Sequence, residues 1–64
     1  MKLNDRQIEI LKKYNIDYHV KSKRELLINI DFIMTDYLDP RGEPTNDFKV
    51  LEQLYDEIYN IDAE

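Results

Sequence analysis

Cysteine and tryptophan are absent from this chain of 64 residues, and glycine occurs only once. Without cysteine, neither a disulfide framework nor a thiolate metal site can form, which favours a reducing compartment. A single glycine excludes the glycine-rich loops that bind phosphate groups. The apolar runs are all short, and the N-terminal sequence MKLNDRQIEI lacks the apolar stretch of a signal peptide. We therefore expect a cytoplasmic protein without a membrane-spanning helix.

The charges divide the chain into a basic half and an acidic half. Residues 1–30 carry seven basic and four acidic side chains, whereas residues 31–64 carry two basic and ten acidic ones. The formal net charge is −5, which disfavours contacts with the phosphates of nucleic acids. Direct binding of nucleic acid is therefore not expected.

Apolar spacing and capping residues predict three helices, over about residues 5–14, 23–38 and 47–60. Each follows a residue type that commonly caps a helix: Asn4, Ser22, and Thr45 or Asn46. Asn15 predicts a left-handed end to the first helix, and Pro40 cannot continue the second. The wide apolar stripe of the second helix indicates contact with more than one neighbour.

Residues 16–21 alternate apolar and polar side chains, which is typical of extended backbone. A lone strand among three helices would have no partner. We therefore interpret the segment as an extended connector between helices 1 and 2 of a small all-α, up-down-up three-helix bundle, a single domain over residues 1–64. The apolar residues Ile16, Tyr18 and Val20 are expected on the bundle, and Asp17, His19 and Lys21 in solvent. A strand remains open for a dimer, in which two copies of the segment pair.

No constellation of catalytic or metal-binding residues stands out. His19 is the only imidazole, and catalysis would need spatial partners that the sequence does not identify, so we expect it to be solvated or structurally bonded. A zinc site would need three carboxylates beside this one histidine. The stretch DYLDPRGEPTND fails the EF-hand pattern: with Gly42 as the central glycine, Arg41 occupies a ligand position and Phe48 the final one. We predict no enzymatic activity and no cofactor.

Four carboxylates crowd the second predicted loop and its borders, and we name them the acidic loop: Asp36, Asp39, Glu43 and Asp47. Arg41 is the only basic residue inside this loop. Surface carboxylates are usually just solvated, yet these have little local compensation. The acidic loop is therefore the candidate protein-binding surface, for a basic surface on a partner. By contrast, the basic start of the second helix and the acidic end of the third are expected to neutralise each other. The acidic residues at that end are Asp56, Glu57, Asp62 and Glu64.

The segments QIEILKKYNIDY, ELLINIDFIMTDYL, EPTND and LEQLYDEI resemble those of small acidic helical proteins encoded in Firmicutes genomes and their prophages. The resemblance runs through nearly the whole chain, and most of it is the apolar spacing of a bundle. Such proteins favour glycine at the position of Asn15, which agrees with a helix end there. The resemblance implies a cytoplasmic helical protein. No activity is assigned to the family, so no functional residue carries over.

The leading functional hypothesis is a non-enzymatic protein-interaction or accessory module, supported by the acidic loop and the lack of a catalytic constellation. The alternative is an acidic nucleic-acid mimic that inhibits a DNA-binding protein. A charge of −5 is modest for that role, and nine basic residues interrupt it. Direct DNA binding through the basic junction between helices 1 and 2 is disfavoured, because the later helix is acidic where it should be basic. The expected oligomeric state is a monomer or a weak homodimer.

Overall fold

The structure is a computed structural model, and it describes residues 2–61. It contains three α-helices: α1 (Asp5–Lys13), α2 (Lys23–Met34) and α3 (Asn46–Tyr59). A 3-10 turn, Thr35–Tyr37, continues α2, so the last part of the predicted second helix is wound more tightly than an α-helix. Within residues 2–61 the only β-type pairing is an isolated bridge between Leu38 and Pro44. The predicted all-α class and three-helix bundle are confirmed.

Side-chain caps explain where the helices begin. The Asn4 side chain accepts a hydrogen bond from the Gln7 N–H at 2.8 Å, and the Gln7 side chain accepts one from the Asn4 N–H at 3.0 Å. The Ser22 hydroxyl accepts from the Glu25 N–H at 3.2 Å, and the Thr45 hydroxyl caps α3. Each bond satisfies an N–H group that the helix cannot pair internally, and is worth about 1 kcal/mol.

The end of α1 gives the chain a defined exit. Asn15 adopts a left-handed backbone with φ 57°, as the sequence predicts. The N–H groups of Asn15 and Ile16 donate to the carbonyls of Lys12 and Leu11 at 3.1 and 2.9 Å, respectively, which is the Schellman pattern. Ile16 and Leu11 are also both buried in the core, so an apolar pair reinforces this turn.

Contacts at both ends of α1 show that it runs antiparallel to α3. At one end, the Tyr14 hydroxyl donates to Asp47 at the start of α3, at 2.6 Å. At the other end, Arg6 pairs with Glu57 near the end of α3. Glu57 also accepts a hydrogen bond from the buried side chain of Gln7 at 3.2 Å. These contacts join both ends of α1 to α3.

The structure departs from the up-down-up order in one respect, which is the direction of α1. Because Lys23 at the start of α2 donates to the carbonyl of Tyr59 at the end of α3, α2 is also antiparallel to α3. Helices α1 and α2 are therefore parallel to each other. Short connections make consecutive helices antiparallel, but six extended residues reach about 20 Å. That is enough to return along a 12-residue helix, which is about 18 Å long.

The core lies where α1, α3, the connector and one side of α2 meet. Within residues 2–61, six large side chains are completely or almost completely buried: Leu11, Leu26, Ile30, Leu51, Leu54 and Ile58. The connector contributes Ile16, which is buried, while Tyr18 and Val20 are half-buried against the same cluster. The alternating polar residues 17, 19 and 21 are exposed. The predicted alternation of the connector is thereby confirmed.

Candidate interaction surfaces

The loop between α2 and α3 is organised by Asp39. Its backbone N–H donates to the Glu43 carbonyl, and its carbonyl accepts from the Gly42 N–H, both at 2.8 Å. One carboxylate oxygen of Asp39 also accepts from the N–H groups of Arg41 and Glu43, both at 2.8 Å. Gly42 has φ 81°, a left-handed conformation that glycine adopts without a steric penalty. Asp39 is therefore a structural turn residue.

Asp47 is half-buried and is hydrogen-bonded to the end of α1. It accepts the hydrogen bond from the hydroxyl of Tyr14, whose side chain is only 8% exposed and whose ring meets that of Tyr37 edge-on at 5.3 Å. The hydrogen bond to Asp47, burial, and the negative charge of Asp47 together raise the pKa of Tyr14 to about 12. The main role of Asp47 in the structure is thus to fasten α3 to α1.

The other two members of the acidic loop, Asp36 and Glu43, are exposed. Glu43 shares the Arg41 guanidinium with Asp39, at 3.5 and 3.8 Å, respectively. Exposed ion pairs of this kind contribute at most about 1 kcal/mol. The four carboxylates predicted as one surface therefore have different surroundings, and Asp36 and Glu43 are the two available to a partner.

At the opposite end of the bundle, Lys23 compensates the end of α3. Its ammonium donates to the carbonyls of Tyr59 and Ile61 at 3.0 and 3.1 Å. Cations are favoured there by the helix dipole and by carbonyls without helical partners. The sequence predicts that carboxylates compensate the start of α2. Two of them, Asp62 and Glu64, lie outside the described residues.

The most exposed apolar surface lies on the side of α2 that faces away from the core. Ile28 is 57% exposed and Phe32 is 74% exposed, and they are neighbours because they are one helical turn apart. The remaining large apolar side chains exposed within residues 2–61 lie on other elements: Leu38, Val50 and Tyr59. We refer to Ile28 and Phe32 as the outward face of α2.

An open groove of about 340 Å³ lies beside this face, between α2 and the start of the connector. It is lined by Asn15, Ile16, Asp17, Ile28, Asn29, Phe32 and Ile33. The Asn29 side chain donates to the Asp17 carbonyl at 3.1 Å, which ties the connector to α2. The lining of the groove therefore combines apolar residues of α2 with two asparagines, Asn15 and Asn29.

Charged residues of opposite sign flank the outward face. Arg24 lies one turn before Ile28, and Asp36 lies one turn after Phe32, in the 3-10 turn. Both are exposed, and within residues 2–61 neither forms an ion pair. We call the row formed by Arg24, Ile28, Phe32 and Asp36 the α2 stripe.

The apolar spacing that predicts α2 consists of the residues on its core side and does not include Ile28 and Phe32. A signal was nevertheless present in the sequence. At about 100° per residue, positions 28 and 32 lie roughly 200° around the helix from the buried positions 26 and 30. An apolar pair so far from the core stripe indicates a second apolar face.

His19 is exposed, as expected, and takes part in local contacts only. Its ring lies 4.4 Å from that of Tyr18. The Asp17 carboxylate accepts from the backbone N–H of His19 at 2.9 Å, so this bond does not orient the imidazole. Over the described part of the chain, no group of three His, Cys, Asp or Glu side chains is arranged to hold a metal ion, and no helix is long and apolar enough to cross a membrane.

No protein-family model matches the chain, and no similar protein is found among curated proteins or solved structures.

Proposed function

We propose that this protein is a non-enzymatic protein-interaction module that binds a helix of a partner through the outward face of α2. The observation that carries the proposal is the exposure of Phe32, at 74%, one turn from Ile28, at 57%. Isolated apolar residues on a surface are ordinary, but adjacent large ones beside a groove are typical of contact sites. Complete burial of an exposed side chain of this size is worth about 1.5–3 kcal/mol, and Ile28 and Phe32, which are already partly buried, can gain part of this energy in a contact.

The shape of the surface supports a helix as the partner element. A helix presents apolar side chains one turn apart, which is the spacing of Ile28 and Phe32, and helices commonly bind in apolar grooves beside other helices. The charges of Arg24 and Asp36 at the two ends of the stripe favour a helix with an acid near Arg24 and a base near Asp36. The sequence predicts a partner with a basic surface, and the partner helix proposed here would be basic only where it contacts Asp36.

The nucleic-acid mimic is the less supported alternative. A row of carboxylates that imitates phosphates must face solvent, whereas Asp39 and Asp47 are engaged in hydrogen bonds within the protein. Only Asp36 and Glu43 of the acidic loop then remain for that purpose. The cytoplasmic location stays a prediction from the lack of cysteine.

A comparison of partner binding by three single variants tests the proposal. Phe32→Ser removes the centre of the outward face, Glu43→Lys alters the acidic loop, and Val50→Ser is the matched control at an apolar position of α3 that is 40% exposed. Tagged proteins are incubated with native-host lysate and with an untagged copy of the chain, and bound polypeptides are quantified by mass spectrometry. We expect Phe32→Ser to reduce the bound partner at least about tenfold, which corresponds to 1.4 kcal/mol, and Val50→Ser to have little effect.

Equal binding by wild type and Phe32→Ser would contradict the proposal. A loss confined to Glu43→Lys would instead support the acidic loop as the contact surface. Far-UV circular dichroism of each variant checks that the helices are retained.

A further inference from the structure

We infer that the partner of the outward face is α2 of a second copy of this chain, packed antiparallel about a two-fold axis. In this arrangement Arg24 of each copy faces Asp36 of the other, and Ile28 of each copy faces Phe32 of the other. The inference rests on the proposed use of the outward face and names its occupant.

The α2 stripe is complementary to itself when reversed. Its members follow at intervals of four residues in the order basic, apolar, apolar, acidic: Arg24, Ile28, Phe32 and Asp36. A two-fold axis midway between Ile28 and Phe32 exchanges the basic end with the acidic end. A two-fold interface requires this property, because the same patch must serve on both sides. A parallel pairing would instead oppose Arg24 to Arg24 and Asp36 to Asp36.

The helix dipole favours the same arrangement. Arg24 lies in the first turn of α2, and Asp36 lies just beyond the last turn. Each position carries the sign that the dipole of its own helix disfavours. In an antiparallel pair, the start of one helix lies beside the end of the other. Arg24 then meets the negative pole of the neighbouring helix, and Asp36 meets the positive pole.

The bundle already uses this form of compensation at the residue next to Arg24. Lys23 also lies in the first turn of α2, and its ammonium donates to carbonyls at the end of the antiparallel helix α3. Within residues 2–61 Arg24 has no equivalent contact. A second α2 would supply one on the other side of the helix.

The contact is expected to be weak. One face of a 12-residue helix is smaller than a standard protein interface, which buries about 1,600 Å² in total. Phe32 of each copy would pack on Ile28 of the other, beside the groove at the connector. We expect a dissociation constant on the order of 100 μM, so that the dimer forms only at high local concentration.

Sedimentation equilibrium of the full chain, from about 10 μM to about 1 mM, tests this inference across the expected dissociation constant. The wild type is expected to pass from monomer to dimer. Arg24→Asp and Asp36→Arg each place like charges at both ends of the interface, so each variant alone is expected to associate at least about tenfold more weakly. Lys49→Asp and Glu52→Arg, which make matched charge reversals at exposed positions of α3, are expected to behave as the wild type.

Two rescues distinguish pairing from a structural effect of the substitutions. The double variant Arg24→Asp/Asp36→Arg restores opposite charges and is expected to dimerise again. An equimolar mixture of Arg24→Asp and Asp36→Arg is expected to form heterodimers, because one protein then carries two acids and the other two bases. A merely structural role of either residue would produce neither rescue.

A wild type that stays monomeric at about 1 mM, ten times the expected dissociation constant, would overturn the inference. The proposed function would survive that result if Phe32→Ser still lost a different partner. A dimer whose association is unchanged by both Arg24→Asp and Asp36→Arg would also overturn the inference. That result would favour pairing between the connectors. If Phe32→Ser changed neither the mass nor the bound partners, both proposals would fail.

Discussion

The two sides of α2 carry similar side chains in opposite surroundings. On the inward side Leu26 and Ile30 are completely buried, whereas on the outward side Ile28 and Phe32 are more than half exposed. The difference arises from the neighbours: α3 and the connector cover α2 from some directions, and nothing within residues 2–61 covers the rest. The apolar content of a helix therefore does not reveal which face builds the fold. We interpret the inward side as the folding surface and the outward side as the binding surface.

The largest expected effect separates the two sides by stability. Ile30→Ala should lower the free energy of unfolding by about 2–5 kcal/mol, because it leaves a cavity among buried side chains. Ile28→Ala, with the same change in size at an exposed position, should cost less than about 0.5 kcal/mol. Urea unfolding at low protein concentration, where association is negligible, measures both. Equal losses would break the distinction between the two sides.

A smaller loss of stability is expected when the hydrogen bond between Tyr14 and Asp47 is removed. Tyr14→Phe removes the hydrogen bond to Asp47 and should cost roughly 1.5 kcal/mol at neutral pH. Tyr59→Phe, at a 62% exposed side chain, is the matched control and should be nearly neutral.

The raised pKa of Tyr14 adds a pH dependence to this prediction. The pKa is near 10 in the unfolded chain and about 12 in the folded protein, so folding favours the protonated hydroxyl. Its contribution is complete below pH 10 and is lost as the pH rises from 10 towards 12. Wild type should therefore lose more stability than Tyr14→Phe over this interval, as measured by urea unfolding. Parallel losses in the two proteins would argue against the hydrogen bond between Tyr14 and Asp47.

The next effect concerns the turn that places the connector beside α2. Asn15→Ala should destabilise the protein by about 1 kcal/mol, because alanine is disfavoured at φ 57°. Asn15→Gly relieves the same conformation and should be neutral or stabilising. Thermal unfolding followed by circular dichroism compares the two variants. A wild-type-like melting temperature for Asn15→Ala would contradict a left-handed helix end.

Local features of the fold are predictable because neighbouring residues determine them. The Asn4 cap, the left-handed Asn15 and the in-out alternation of the connector follow from the side chains at those positions. The direction of α1 does not, because it depends on whether the connector crosses the end of the bundle or returns along α2. Both paths suit the same alternation, and only the length of the extended segment favours the second.

The candidate surface shows the same division. The four carboxylates of the acidic loop are adjacent in sequence, but Asp47 finds its partner Tyr14 33 residues away along the chain, which no local pattern reveals. The turn role of Asp39 is easier to predict from the sequence, because Asp-Pro-x-Gly is a turn sequence. Phe32 was visible as an apolar residue, but its exposure depends on which neighbours α2 has.

The melting temperature of wild type and Phe32→Ser, each at about 10 μM and about 1 mM, tests the central claim most directly. If the outward face serves association and not folding, the two proteins should melt alike at the lower concentration. At the higher concentration only the wild type should gain stability, because dimerisation involves folded chains only and therefore stabilises the folded state. A variant that melts several degrees lower at both concentrations, with a wild type insensitive to concentration, would show that Phe32 belongs to the fold.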